Sequence, residues 1–152
     1  MSRGPGHYPL HRVLLAEDSK SMRAMELALL QELGVTRVDQ AENGLQARQL
    51  LLKHRYQLIL CDWDMPELSG LDLLRQVRHH PATQDLPFIL CTANASRDEI
   101  LLAVKAGVSD YITKPFQPAA LLAKLDLWLA KIPAPNLRLE EQAAIDGRLD
   151  QL

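Results

Sequence analysis

Cysteine is scarce in this sequence: there are two in 152 residues, Cys61 and Cys91, and each sits inside an apolar run. Two such residues make no disulfide framework; they read as small core residues of a reduced thiol protein, which places the chain in the cytoplasm. A basic stripe is also lacking. With a net charge of −2 and no clustering of Lys and Arg, a surface built to neutralise nucleic-acid phosphates is not expected, and proteins or small molecules are the expected partners. No apolar run approaches the roughly 20 residues that span a bilayer, and "MSRGPGHYPLH" has no apolar core of signal-peptide length. Neither membrane insertion nor secretion is expected. There is no internal repeat or low-complexity tract. What remains is 47% hydrophobic and 24% charged, enough for one sizeable core and no second domain.

Apolar runs of strand length alternate with longer stretches of helical period, the order that gives an α/β fold with a parallel sheet and helices on both faces. Five such pairs are present. "RVLLA" (Arg12 to Ala16) is the first strand, followed by a helix whose Met22, Met25, Leu29, Leu30 and Leu33 recur at helical spacing, with Gly34 as its stop. "RVDQA" is the second strand, and Asn43-Gly44 turns the chain into "LQARQLLLKH". "LILC" (Leu58 to Cys61) reads as a strand buried on both faces, and "LDLLRQVRHH" as a helix ended by Pro81. "PFILCTA" is the fourth strand. Ser96 and Gly107 bracket the fourth helix as N-cap and C′ residue, with Asp98 and Glu99 in its first turn. "DYIT" is the fifth strand, and Pro118 opens a fifth helix that runs to Ile132. The domain is therefore expected over 11–132, after a flexible segment 1–10. Residues 133–152 then read as a stiff "PAPN" linker and a weak helix interrupted by Gly147.

In open parallel sheets the ligand site lies beyond the carboxyl ends of the strands, so the strand ends matter. They carry Glu17 and Asp18 after the first strand, Asp62 and Asp64 after the third, Thr92 at the end of the fourth, and Thr113 and Lys114 at the fifth. Crowded carboxylates repel, and a raised pKa or a bound cation relieves them. An oxygen-only donor set suits Mg²⁺. Beside such an ion an aspartate is able to act as nucleophile and form an acyl phosphate, while Lys114 and the Thr92 hydroxyl contact the other phosphoryl oxygens. Each residue also has a plainer reading. Asp18 caps a helix, Asp62 is a turn acid, Thr92 is a β-former, Tyr111 is half-buried core and Lys114 is solvated. His79-His80 reads as a solvated helix end with no catalytic role.

Four motifs, "LLAEDSKSMR", "LILCDWDMPELSGLDLLRQVR", "ILCTA" and "DYITKPF", resemble in content and order the receiver domains of two-component response regulators, the CheY-like family. The resemblance covers roughly Arg12 to Ile132. It implies a doubly wound, flavodoxin-like sheet of order 2-1-3-4-5 flanked by five helices. By the same resemblance Asp62 is the phosphoacceptor, and Glu17, Asp18, Asp62 and the backbone carbonyl of Asp64 hold Mg²⁺. Thr92 and Tyr111 are the switch residues, and Lys114 precedes a proline, Pro115, that is commonly cis in the family. The sequence departs from the common pattern at Glu17, where an aspartate is usual, and at Asp64, where many relatives have Asn or another residue.

The implied function is a phosphorelay switch. A histidine kinase or histidine phosphotransfer protein phosphorylates Asp62, and the face formed by helix four, strand five and helix five changes its affinity for a downstream protein. Such a module is not a turnover enzyme, sheds its phosphoryl group by autodephosphorylation, and is expected as a monomer or weak dimer. The competing reading is a haloacid-dehalogenase-like phosphatase using Asp62 and Asp64 as its Asp-x-Asp pair, although that motif normally ends the first strand of a longer chain. After Ile132 too few residues follow for a DNA-binding or cyclase domain, so a stand-alone receiver and a fragment of a longer regulator both fit. Leu137, Ile145, Leu149 and Leu152 lie loosely on one side of the tail, which suits docking as well as fraying.

Overall fold

A computed structural model describes residues 6–135. The weak helix expected after the linker lies outside the described residues, as do residues 1–5. The chain alternates strand and helix without exception: β1 (Arg12–Ala16), α1 (Lys20–Glu32), β2 (Arg37–Ala41), α2 (Gly44–Lys53), β3 (Leu58–Asp62), α3 (Gly70–His79), β4 (Phe88–Thr92), α4 (Arg97–Ala106), β5 (Asp110–Thr113) and α5 (Pro118–Lys131). All strand pairs are parallel and the sheet order is β2-β1-β3-β4-β5. The order reverses beside β1, between its neighbours β2 and β3, and such a switch point opens a crevice at the carboxyl ends of the strands.

Burial follows the pattern of the residues. Every residue of β3 and β4 is buried, as unbroken apolar runs at the centre of a two-sided sheet require. Successive side chains of a strand point to opposite faces, so β1 sends Leu14 and Ala16 into the layer under α2, α3 and α4, and Val13 and Leu15 into the layer under α1 and α5. Each fully buried Leu or Ile contributes about 1.5 to 3 kcal/mol of transfer free energy. The edge strand β2 is only partly covered.

The helix starts are set by side-chain caps. Ser19, Asn43, Ser69 and Ser96 each accept a hydrogen bond from the backbone N–H three residues on, a contact worth about 1 kcal/mol apiece. Because Asn43 is a cap, α2 begins at Gly44, one residue before the periodicity suggests. Gly107 closes α4 at φ 91°, in the left-handed region that glycine enters freely. β3 runs one residue further than its apolar pattern, so Asp62 is the last residue of the strand itself.

Before β1 the chain makes hydrogen bonds to the rest of the domain from Gly6 onward. The Tyr8 hydroxyl donates to Asp126 Oδ1 at 2.6 Å and its backbone N–H to the Leu33 carbonyl at 2.8 Å, which lays the segment across the end of α1 and onto α5. His11 is buried, with Nε2 2.8 Å from the Ile132 carbonyl. No helix among the described residues is long and apolar enough to cross a membrane.

Candidate functional site

The sheet brings the acids of β1 and β3 together because these strands are neighbours in register, Ala16 opposite Cys61. The residues that follow, Glu17 just past β1 and Asp62 at the end of β3, therefore stand side by side. Carboxylate oxygens of Glu17, Asp18 and Asp62 lie within 4.8 Å of one another. Glu17 and Asp62 are buried and Asp18 is exposed at the mouth.

Lys114 closes the cluster from β5. Its Nζ lies 3.1 Å from Asp62 Oδ1 and 3.2 Å from Glu17 Oε2. Its backbone N–H donates to the Thr92 carbonyl at 2.7 Å, and the Lys114–Pro115 peptide is cis. Burial raises the pKa of both Glu17 and Asp62; a neighbouring carboxylate adds to the rise, and the Lys114 ammonium opposes it. The pKa of Lys114 is raised as well: burial lowers it, but the two carboxylates outweigh that and hold the ammonium charged. One cation for three carboxylates leaves the cluster short of positive charge. Three hard oxygen donors, open to solvent on the Asp18 side, fit a divalent ion such as Mg²⁺.

The loops around the cluster are fixed largely by backbone contacts, with one carboxylate oxygen of Glu17 also engaged. Glu17 Oε1 accepts the Ser19 backbone N–H at 3.0 Å, and Arg23 reaches back from α1 to donate to the Glu17 carbonyl at 2.7 Å. The β3–α3 loop folds back on its origin: the Gly70 N–H donates to the Trp63 carbonyl at 2.8 Å, and a Cβ at Gly70 would stand 2.2 Å from the Asp62 carbonyl oxygen. The close approach of this loop requires glycine. Trp63 N–H is held in turn by the Cys91 carbonyl at 2.9 Å.

The other expected residues fall into place unevenly. Asp64 is exposed and acts on Asp62 through its charge, helping to raise the Asp62 pKa; its carboxylate is not part of the three-acid cluster. Thr92 is buried at the end of β4, but its hydroxyl donates to the Asn94 carbonyl at 3.0 Å and accepts the Asn94 N–H at 3.1 Å, so it serves its own loop. Tyr111 is half-buried on β5 and packs against the layer under α2, α3 and α4. That its hydroxyl is engaged by Asn94 follows from the local turn, which the sequence pattern does not show.

Two participants are absent from the sequence reading. Arg23 is one. The other is Glu26, 1% exposed in the apolar layer under α1, with Oε1 lacking any partner. Burial, helped by the nearby Glu17 carboxylate, pushes its pKa up to about 8. Its position four residues after Met22 and before Leu30 put it on the apolar stripe of α1, and that spacing was the available signal.

The same arrangement has well-characterised counterparts. The sequence profile of the response regulator receiver domain matches residues 13–126. The chain is 38% identical over 115 residues to the chemotaxis protein CheY-3 of Vibrio cholerae, covering 76% of this chain and 88% of that one. It is 39% identical over 116 residues to the chemotaxis protein CheY homolog of Campylobacter jejuni, covering 76% and 89%. Among solved structures, the receiver domain of a Pseudomonas aeruginosa sensor histidine kinase, with magnesium coordinated in its active-site cleft, superposes with a TM-score of 0.71 at 33% identity, over 79% of this chain and 98% of that one. The chemotaxis response regulator CheY4 of Vibrio cholerae superposes with a TM-score of 0.73 at 28% identity, over 78% and 98%. Asp62-Trp63-Asp64 thus ends the third strand of a receiver sheet and not the first strand of a phosphatase: this chain belongs to the response regulator receiver family, as a CheY-like receiver domain of two-component signalling.

Proposed function

We propose that Asp62 is the phosphoacceptor of this receiver and takes its phosphoryl group from a histidine kinase or a histidine phosphotransfer protein. An Asp62 carboxylate oxygen attacks phosphorus, the P–O bond forms as the P–N bond to the donor histidine breaks, and the histidine leaves with its electron pair. The observation that carries this reading is the three-carboxylate cluster, within 4.8 Å, with the Lys114 ammonium on Asp62.

Glu17, Asp18, Asp62 and the backbone carbonyl of Asp64 are the groups that would hold Mg²⁺. When bound, the ion supplies positive charge to the transferring phosphoryl oxygens. Lys114 stabilises one of those oxygens, and Arg23 holds the Glu17 loop in place. Water readmitted to the acyl phosphate returns the domain to its resting form, so the module times a signal and does not turn over substrate.

The switch runs through Thr92 and Tyr111. A phosphoryl oxygen on Asp62 offers the Thr92 hydroxyl a charged acceptor in place of the Asn94 carbonyl. That movement makes room for Tyr111 to turn inward from the face built by α4, β5 and α5. The elements of this face carry exposed apolar side chains suited to a protein target, Leu101 and Val104 on α4 and Leu127 on α5. The buried, unpaired Cys61 and Cys91 favour the reducing cytoplasm, and we take the working form to be a monomer or weak dimer without nucleic acid.

A small phosphodonor with Mg²⁺ tests the reading directly. About one phosphoryl group per chain is expected, as the nucleophile is consumed by its product, with none on D62N. Trp63, alone after W128F, should report Mg²⁺ binding by a change in fluorescence. Rapid multiple turnover of the donor would restore the phosphatase reading, and labelling of D62N would remove Asp62 from its role.

A further inference from the structure

Between the C-terminal halves of α3 and α4 runs a groove of about 330 Å³, walled by Arg75 and Arg78 of α3 and by Leu102, Lys105 and Ala106 of α4. Leu102 is an apolar side chain left 42% exposed, and the groove is where it stands; Leu101 and Val104 do not line it.

The walls are positive. No acid lines the groove, and Lys105 has no carboxylate partner among the described residues. Arg75 pairs with Asp72 at 3.1 Å, but the two side chains are 46% and 54% exposed, and an ion pair of that kind holds weakly enough to be exchanged. Arg78 is anchored by neutral groups: its Nε donates to the Gly107 carbonyl at 2.8 Å, Nη1 to the Leu86 carbonyl at 2.6 Å and Nη2 to Ser109 Oγ at 3.2 Å. Burial lowers its pKa from 12.5 and the charge of Asp85 opposes that; a guanidinium stays protonated in proteins. The same three bonds fasten α3 to the chain just before β4 and just before β5, so the groove is formed before anything enters it. It also opens toward the amino ends of these strands, the opposite end of the sheet from Asp62.

The chemistry of the walls selects the occupant. In a chain of net charge −2 this concentration of cations is local, and cations beside an exposed leucine complement a segment that carries both carboxylates and apolar residues. Arg75, Leu102 and Lys105 are all exposed, so the groove is open, whereas small-molecule sites enclose about 70–90% of their ligand. Three cations do not make a surface that tracks nucleic-acid phosphates. We propose that the α3–α4 groove docks an acidic, apolar helical segment of a partner protein, with its carboxylates on Arg75 and Lys105 and an apolar side chain against Leu102. This docking is independent of the phosphorylation of Asp62.

Titration of the isotope-labelled full chain with a short peptide of alternating Glu pairs and Leu pairs, followed by amide chemical shifts, tests this. Saturable shifts are expected over residues 75–79 and 102–106. R75E/K105E should weaken binding about tenfold, as two exposed ion pairs of up to about fivefold each allow, and L102D should weaken it at least as much. K53E makes the same kind of charge change at an exposed position of α2 and should leave binding within about twofold. All four positions are on the surface, and unmoved amides elsewhere in each variant confirm its fold. No saturable shift in the groove with about 1 mM peptide, the weak end of specific binding, would overturn the proposal. Equal binding by a peptide with Ser in place of Leu would reduce the effect to bulk charge and overturn it too. So would shifts in these stretches that depend on chain concentration without peptide, which would assign the groove to a second copy.

Discussion

Lys114 Nζ stands between Asp62 Oδ1, at 3.1 Å, and Glu17 Oε2, at 3.2 Å, so one ammonium ties the ends of β1 and β3 to that of β5. Lys114→Ala would leave two buried carboxylates without that cation, and removing one partner of a buried pair costs about 3 to 5 kcal/mol; the 20% exposure of the lysine side chain favours the low end. A divalent ion supplies the missing charge. The variant should therefore melt well below the parent without Mg²⁺ and recover most of the loss when Mg²⁺ is added, as read by thermal unfolding. The same Mg²⁺ increment in parent and variant would show that the lysine and the metal do not share these carboxylates.

Gly70 gives a second, purely steric, handle on the same site. A Cβ there meets the Asp62 carbonyl oxygen at 2.2 Å and the Trp63 Cα at 3.0 Å, both backbone and unable to rotate away. Gly70→Ala should destabilise the domain by about 1 to 3 kcal/mol, as overpacking does. It should also weaken the Trp63 fluorescence response to Mg²⁺, because the end of β3 at Asp62 and the loop that follows must shift. An unchanged metal response at reduced stability would confine Gly70 to folding.

The strand ends were legible because periodicity, helix stops and caps all agree along this chain, from Ser96 and Gly107 around α4 to Pro118 at the start of α5. With the strand order that the family resemblance implies, the ends of β1 and β3 are neighbours, and Glu17, Asp62 and Lys114 meet there. What pattern could not show is how single polar atoms are spent. The Thr92 hydroxyl answers to Asn94 through a local turn, and Arg23 points back along α1 to a carbonyl six residues earlier. Tyr8 finds Asp126 across the whole length of the chain. The last depends on tertiary placement and the first two on turn and rotamer geometry, neither of which apolar spacing encodes.

Asp64 sits exposed two residues beyond Asp62 and acts on it through charge. A carboxylate accepts a proton from water better than an amide does, so Asp64→Asn should lengthen the life of the acyl phosphate. A positioned base is worth about 10²- to 10⁴-fold; an exposed side chain such as this is expected to give a severalfold change. A dephosphorylation time course after removal of the phosphodonor measures it. Equal half-lives would assign Asp64 to the loop alone.

Glu26 makes stability depend on pH in a stated direction. Its carboxyl is buried with Oε1 unpartnered, and burial pushes its pKa up to about 8, from 4.5. Between these values the folded chain keeps a proton that the unfolded chain releases, so stability is full below about pH 4.5 and falls as pH rises toward 8. The slope is about 1.4 kcal/mol per pH unit. Glutamine has the same shape and no charge at any pH. The stability of Glu26→Gln relative to the parent should therefore rise by roughly 3 kcal/mol between pH 5.5 and pH 8, as measured by urea unfolding in matched buffers. Glu17 and Asp62, raised in the same direction, remain in both proteins and cancel in the comparison. A difference that stays constant with pH would mean that Glu26 titrates alike in the folded and unfolded chains, and that its burial is relieved by movement of α1 rather than by holding a proton.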